Sequence, residues 1–509
     1  MKKKYIIGTR GSLLALTQCG QVRDELIRLT GDDYELKIIK TTGDEITNAP
    51  LWQLDGKDFF TKELDEALLK GEIDLVVHSY KDLGSERPEG IALSAITERQ
   101  FSEDILLIKN STIEKLKEKK ELIVGTSSPR RIVNIEKNLK KIIPHHQDLT
   151  VKTKILRGNV NTRISKLNND EYDAIILAFA GIERLAKTES SAIQLKELVL
   201  GLNFLILPES IFPSSAAQGA LALECLKERK DHGELFKKLS LLNHSDTIEE
   251  VKRERAAFVG YGGGCHLSVG INVKKISEYF LHTHQGQLNN QEVNVSKIEN
   301  RVLPKLQSKK FFIGLPSYND HFIKKEEVSF SLPSNGHVIL TAKYGEKNLV
   351  LEKEKISTLF TSGTKTMEDM ASLGIWVNGS SDGLGILKIE KYFHSNFLKL
   401  ILNTKLPKFY LSHKNARSLK DSQLVVTYER QLNQLNDEQL KELQNKEIFF
   451  WTSFDQYQKY VELIPEIENK LHACGLGKTF FDFVEHRKNV LPFTSHLEFL
   501  HWIENESNN

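Results

Sequence analysis

Over residues 3–225, short runs that read as strands alternate with segments of helical periodicity. That alternation restricts the chain to parallel or mixed sheets covered by helices. Tyr5-Ile6-Ile7 reads as a strand, residues 13–29 carry apolar positions at helical spacing, and Glu35-Leu36-Lys37-Ile38-Ile39 is a second strand. A helix is predicted over 60–69, followed by the run Ile73-Asp74-Leu75-Val76-Val77, which leads into His78-Ser79-Tyr80-Lys81-Asp82. A second set of strands is predicted at 105–108, 122–124, 153–156 and 174–179. A stretch of this length implies two sheets facing a cleft. Ligands of open α/β sheets bind at the carboxyl ends of the strands, which places Asp82 at a crevice.

The texture changes after residue 225. A charged helical region precedes Gly262-Gly263-Gly264-Cys265-His266, and strand-like runs follow at 267–273 and 279–283, as in a small α+β domain. Residues 295–350 are Lys-rich and polar, and a boundary is expected between 295 and 315. Alternation returns over 335–509, with strands predicted at 338–340, 409–411, 424–426 and 448–451.

At 509 residues the chain is long enough for several domains. Its 70 Lys+Arg against 68 Asp+Glu leave a net charge of +2, so bulk charge points to neither nucleic acid nor membrane. Cys19, Cys225, Cys265 and Cys474 are scattered, with neither a disulfide framework nor metal-ligand spacing, and no metal site is expected. A reducing cytoplasm fits that usage. The basic start has an apolar run too short for a secretory signal. The apolar stretch 174–182 falls short of the ~20 residues a membrane-spanning helix needs.

Arginines mark the strand-to-helix junctions. Gly125-Thr126-Ser127-Ser128-Pro129-Arg130-Arg131 follows a strand, with Ser128 placed as an N-cap and Pro129 at the first helical position. Leu156-Arg157-Gly158-Asn159-Val160-Asn161-Thr162-Arg163 repeats the design, Arg10 closes the first strand before Gly11-Ser12, and Arg184 follows the strand at 174–179. Any one such arginine is more often solvated surface charge. Gathered at one crevice, they indicate a polyanionic ligand. The balanced charge and the lack of interleaved aromatics argue against nucleic acid. A small polycarboxylate fits, because guanidinium binds carboxylate through two parallel bonds. A carboxylate such as Asp82 among these bases is the natural stabiliser of a cationic intermediate, although an arbitrary Lys-Asp pair is more often structural. Cys19, Cys225 and Cys474 lie in apolar or helical contexts and read as small buried hydrophobes. Cys265, on its glycine loop, is open to covalent attachment. Gly475-Leu476-Gly477-Lys478-Thr479 has the tail of a phosphate-binding loop. However, His472 stands where that motif needs glycine and no strand is predicted before it, which excludes an ATPase.

Six segments carry a family resemblance: Thr9-Arg10-Gly11-Ser12, His78-Ser79 with Lys81-Asp82, Gly125–Arg131, Leu156–Arg163, Ala217-Gln218-Gly219-Ala220 and Gly263-Gly264-Cys265. In order and spacing, across roughly residues 1–300, they resemble hydroxymethylbilane synthase (porphobilinogen deaminase). The resemblance implies two periplasmic-binding-protein-like α/β domains (1–98 with 201–225, and 99–200) and a small α+β cofactor domain (226–305). It implies a transferase of porphyrin and heme biosynthesis that joins four porphobilinogen units with loss of ammonia. The growing chain is anchored on a dipyrromethane cofactor held by Cys265 through a thioether, and hydrolysis then releases hydroxymethylbilane. Asp82 and Lys81 would be catalytic. Thr126, Ser128, Arg130, Arg131 and Arg163 would bind the cofactor, and Arg10, Ser12, Lys57, Arg157 and Arg184 the substrate carboxylates. A cytoplasmic monomer is implied, with no nucleic acid or membrane partner. Gln53, Gly84 and Pro129 depart from the family pattern, and only Gln53 bears on a carboxylate contact.

That family ends near residue 310. Gly363-Thr364-Lys365-Thr366, Gly374–Gly379, Val425-Val426-Thr427-Tyr428, Phe449–Ser453 and Ala473–Thr479 resemble uroporphyrinogen-III synthase, a lyase that inverts one ring of hydroxymethylbilane and closes the macrocycle. The resemblance implies a two-lobed α/β region over 306–509, with Tyr428 catalytic and Ser453 and Thr479 facing the bilane. The expected protein is thus a bifunctional enzyme. Its rivals are a deaminase with an inert C-terminal module and a non-enzymatic solute-binding protein on the same scaffold.

Overall fold

Alternating apolar runs assemble into five sheets in a computed structural model that describes residues 2–41, 61–145, 147–264, 266–416 and 420–505. The chain divides into two units. The first comprises Met1–Lys275, Thr283–Val295 and Tyr392–Thr404; the second comprises Ile276–His282, Ser296–Lys391 and Lys405–Asn509.

In the first unit, β1 (Lys4–Thr9), β2 (Asp33–Ile38), β3 (Leu75–Ser79) and β4 (Ile91–Ile96) build one sheet. The chain then leaves for a second sheet made by β5 (Asp104–Lys109), β6 (Glu121–Gly125), β7 (Thr150–Lys154), β8 (Ala174–Ala178) and β9 (Leu202–Ile206). It returns to the first with β10 (Leu221–Leu226). The sheet orders are β2-β1-β3-β10-β4 and β7-β6-β8-β5-β9. Each sheet holds a parallel core, with antiparallel strands where the chain crosses over: β10 runs against β3 and β4, and β5 runs against β8 and β9. The helix Leu13–Thr30 packs Cys19, Val22 and Leu26 against β1 and β3, so the apolar stripe read from sequence is its buried face.

The third piece is β11 (Ser268–Ile276), β12 (Tyr279–Leu288) and β13 (Gln291–Glu299), preceded by the helix Ser245–Gly260. Glu254 of that helix is fully buried. It takes hydrogen bonds from the Arg99 guanidinium (2.6 Å), the Ala217 amide (2.7 Å) and the Val273 amide (2.9 Å). One carboxylate therefore joins the helix, β11 and the loop before β10.

The second unit has two sheets. β14 (Phe311–Ile313), β21 (Ile448–Trp451), β22 (Leu471–Gly475) and β23 (Leu491–Phe493) are all parallel. β15 (Ile323–Glu327), β16 (Gly336–Leu340), β17 (Ile356–Thr361), β18 (Gly379–Ser380), β19 (Lys408–His413) and β20 (Ser422–Leu432) pair in the order β15-β20-β19-β16-β17-β18. The aromatic cluster Phe312, Phe449, Trp451, Tyr457, Tyr460 and Phe483 fills the core against the first of these sheets. Contrary to the expectation from sequence, a strand does precede Gly475-Leu476-Gly477-Lys478-Thr479: β22 ends at Gly475 and the helix Lys478–Glu485 follows. Its residues, Leu-His-Ala-Cys-Gly, carry no β-branched side chain, and burial between neighbouring strands makes it a strand despite that composition. Gly477 is required there because an added Cβ would collide with the Gly383 carbonyl, which also accepts the Lys478 amide at 3.1 Å. Among the described residues no helix is long and apolar enough to cross a membrane.

Replacing Glu254 by Ala unpairs two buried amides and leaves the Arg99 guanidinium only the Gln218 carbonyl (2.7 Å) and a longer contact to Glu250 (3.5 Å). A loss of about 3–5 kcal/mol is expected, read as a lower urea midpoint of the first unit's unfolding.

Candidate active site

The carboxyl ends of β1, β3 and β8 and the loops after them line a cavity of about 1140 Å³ in the first unit. Arg10, Ser12, Lys81, Asp82, Arg131, Arg157, Arg163 and Arg184 all border it, joined by Lys40 and Lys166. Ser12 caps the helix Leu13–Thr30, its hydroxyl accepting the Ala15 amide at 3.3 Å. Asp82 is exposed at the end of a short helical turn, Tyr80–Asp82, immediately after β3.

A single buried carboxylate organises one wall. Asp104, at the start of β5, receives Arg131 through two bonds (3.0 and 2.6 Å) and Arg130 at 2.9 Å. Burial alone would raise this carboxyl, but the Arg130 and Arg131 guanidiniums hold it well below the usual carboxylate range. Gln218 donates to Asp104 at 2.9 Å and to the Ser102 carbonyl at 2.7 Å, while its oxygen accepts Lys81 at 3.2 Å. Burial depresses the Lys81 ammonium, and the Arg131 and Arg130 charges add to that against the opposing pull of Asp82.

Arg157, Arg163 and Arg184 have no carboxylate partner among the described residues. The Arg163 side chain donates to the Gly158 carbonyl (2.7 Å) and Arg184 to the Gly219 carbonyl (2.6 Å), and neither forms an ion pair among the described residues. Burial, reinforced by the Arg131 and Arg157 charges, brings Arg163 down to about 10. Burial likewise brings Arg184 to about 10, with Glu183 opposing the shift. Guanidiniums held against desolvation and mutual repulsion are built to receive anionic oxygens.

The remaining expected residues fall elsewhere. Arg130 turns from the cavity to Asp104 and the Pro213 carbonyl (2.9 Å). Thr126 is buried below the junction, its hydroxyl accepting the Ser128 amide at 3.3 Å, and neither Thr126 nor Ser128 borders the cavity. Ser128 occupies the N-cap position before Pro129, but its hydroxyl makes no capping bond. Cys265, Lys57 and Gln53 lie outside the described residues. Cys19, Cys225 and Cys474 are buried, and burial raises each thiol, Cys19 to about 11. The sequence reading missed Asp104 and the role of Gln218. The signals were there: an acid opening an otherwise apolar strand, and a glutamine inside a quoted motif.

The family described as "Porphobilinogen deaminase, dipyromethane cofactor binding domain" matches residues 5–234. The porphobilinogen deaminase of Lawsonia intracellularis is 40% identical over 269 residues, covering 52% of this chain and 79% of that protein. That of Geobacter sulfurreducens is 40% identical over 264 residues, covering 52% of this chain and 75% of its own. The chain belongs to the porphobilinogen deaminase family. Its N-terminal half is accordingly a hydroxymethylbilane synthase of tetrapyrrole biosynthesis, a transferase that acts on porphobilinogen and carries a dipyrromethane cofactor. Among solved structures, a polar amino acid uptake transporter substrate-binding protein from Streptococcus thermophilus aligns with 51% of this chain and 82% of its own, at 16% identity and a TM-score of 0.27. The donor set suits the family's cofactor: a cavity edged with guanidiniums, three of them without an ion pair among the described residues, fits a ligand bearing several carboxylates.

In the second unit, Ser453 and Thr479 meet at one loop. The Ser453 hydroxyl caps the helix Phe454–Leu463, accepting the Gln456 amide at 3.2 Å, and the Thr479 hydroxyl donates to the Thr452 carbonyl at 3.1 Å. Tyr428 belongs to the other sheet, buried on β20 with its ring 4.7 Å from Tyr344 and 5.8 Å from His413. Arg430, two residues further along β20, pairs with Asp455 of the Ser453-capped helix and so ties that strand to the helix. Burial, the Arg430 charge and those of Lys325 and Lys478 bring His413 down to about 4, against the pull of Asp455.

His413 therefore stays neutral in the folded protein while the unfolded chain takes up a proton from pH 6.5 downward. Stability rises with pH wherever the unfolded state binds more protons, so this residue's contribution is lost as pH falls from 6.5 towards 4. Denaturant melts across that range are expected to show a smaller loss in His413→Asn than in the wild type.

Proposed function

We propose that the chain makes hydroxymethylbilane in its first unit and closes it to uroporphyrinogen III in its second. The observation that carries the first part is that, among the described residues, Asp82 is the one carboxylate bordering a cavity edged by several arginines and lysines. When bound, the dipyrromethane supplies the primer onto which porphobilinogen units are joined head to tail. Cys265, on Gly262-Gly263-Gly264, is the attachment point in this reading.

Arg131, held by Asp104, and Arg163 receive carboxylates of the primer, while Arg10, Arg157 and Arg184 receive the acetate and propionate of the incoming unit. Desolvation in the cavity strengthens each of these pairs. In this reading Asp82 faces the positive charge that develops as the C–N bond of the substrate's aminomethyl arm breaks, the nitrogen leaving as ammonia and the methylene carbon staying on the ring, and its carboxylate lowers the energy of that charge. Lys81, tied to Gln218, fixes the turn that presents Asp82. Asp82→Asn keeps the shape and removes the charge. Turnover of porphobilinogen is expected to fall on the order of 10²–10³-fold while the far-UV spectrum and melting temperature stay as in the wild type. Full activity in that variant would remove Asp82 from the chemistry.

The cyclase reading is supported by the two-sheet second unit, with Tyr428 on one lobe, Ser453 and Thr479 on the other, and Lys325, Arg430 and Lys478 around His413 to meet carboxylates. The isomer of the product decides it. Incubation with porphobilinogen, followed by oxidation, is expected to give the type III uroporphyrin. Type I alone would mean an inert second unit and leave the deaminase reading intact.

A further inference from the structure

The helix Phe179–Lys187 has two working faces. Ala180, Gly181, Arg184 and Leu185 border the active-site cavity, whereas Phe179 and Glu183, one turn apart, point the other way. What they meet is not a neighbour in sequence but the segment Tyr392–Thr404, which belongs to the first unit.

Glu183 is buried, and every group around its carboxylate in that segment is a donor. One oxygen accepts the Ser395 hydroxyl (2.6 Å) and the Phe397 amide (3.0 Å). The other accepts the Asn396 amide (3.1 Å) and its side-chain amide (2.8 Å). Phe397 stands edge-on to Phe179 at 6.5 Å, and Phe179 stacks on Phe101 at 4.1 Å. Tyr392 donates to the Glu103 carboxylate at 3.1 Å. Phe101 and Glu103 flank Ser102, whose carbonyl holds Gln218, and the Glu103 carbonyl accepts the Phe179 amide at 3.0 Å. The segment thus grips both backbone stretches that set the cavity wall, the one carrying Arg184 and the one leading to Asp104.

We propose that Tyr392–Thr404 is a clip on the deaminase site, and that Glu183 is the positioning residue through which it fixes Arg184 for a substrate carboxylate. The inference rests on the carboxylate-binding role read for Arg184 above. Chain from beyond residue 390 is then part of the porphobilinogen-binding machinery, which gives the two halves a physical reason to be one polypeptide.

The test uses full-length variants with porphobilinogen as substrate. Glu183→Ala is expected to raise KM about tenfold, the size of one charge-assisted hydrogen bond lost in binding, with kcat per folded molecule nearly unchanged. Ser395→Ala/Asn396→Ala, remote from the cavity, is expected to raise KM in the same direction. Combined with Glu183→Ala it should add nothing further, and Glu183→Gln should fall between Ala and the wild type. A lowered melting temperature with a wild-type KM in the clip variants would make the contact structural only and overturn the proposal, even if Glu183→Ala itself does not fold. Arg184→Met distinguishes the two readings. If it raises KM while the Glu183 and clip variants do not, the clip fails and the carboxylate role of Arg184 stands. If it leaves KM unchanged, both fall.

Discussion

Asp104 is the charge on which the deaminase cavity depends. Burying an ion costs several kcal/mol, and the cost is met only when partners and hydrogen bonds surround it. Here the partners come from separate pieces of chain. Arg130 and Arg131 begin the helix after β6, Gln218 lies on the return to β10, and through Gln218 the network reaches Lys81 at the end of β3. One carboxylate on the second sheet therefore sets the register of the turn on the first sheet that presents Asp82. It also explains why two adjacent arginines behave differently. Arg131 is held at the cavity edge with its charge matched, while Arg130 is consumed in holding the wall.

The junctions were legible in the sequence because their chemistry is local. Gly-Thr-Ser-Ser-Pro before Arg130 marks a helix start without reference to the rest of the fold, and the run 73–77 announces a strand ending near Asp82. What the sequence left unread was non-local. Asp104 and Gln218 are ordinary residues until the topology brings β5 and the 217–220 loop together. β13 was missed although Gln291-Glu292-Val293-Asn294-Val295 alternates, because its apolar positions are few and both ends are polar. β22 was missed for the opposite reason: its small, buried residues lack the β-branched signature, and burial between β21 and β23 decides its conformation. Thr126 and Ser128 illustrate a limit of motif reading. The Thr126 hydroxyl is taken up by the Ser128 amide within the junction, and neither residue borders the cavity.

Glu183 was invisible for a different reason. Within Phe179–Lys187 it looks like a surface acid on an amphipathic helix, and only a segment two hundred residues further on makes it buried and fully bonded. An acid on that face needs donors or water. Its burial therefore records the presence of the clip as firmly as the clip's own contacts do.

The electrostatics of the cavity favour an anionic ligand. Burial holds Arg163 and Arg184 near 10, below their ordinary value, and at Arg163 the Arg131 and Arg157 charges add repulsion. Each porphobilinogen unit adds an acetate and a propionate, and each pair formed relieves part of that repulsion. In the proposed reading, the charges that make the empty site costly are the ones that favour binding of those carboxylates.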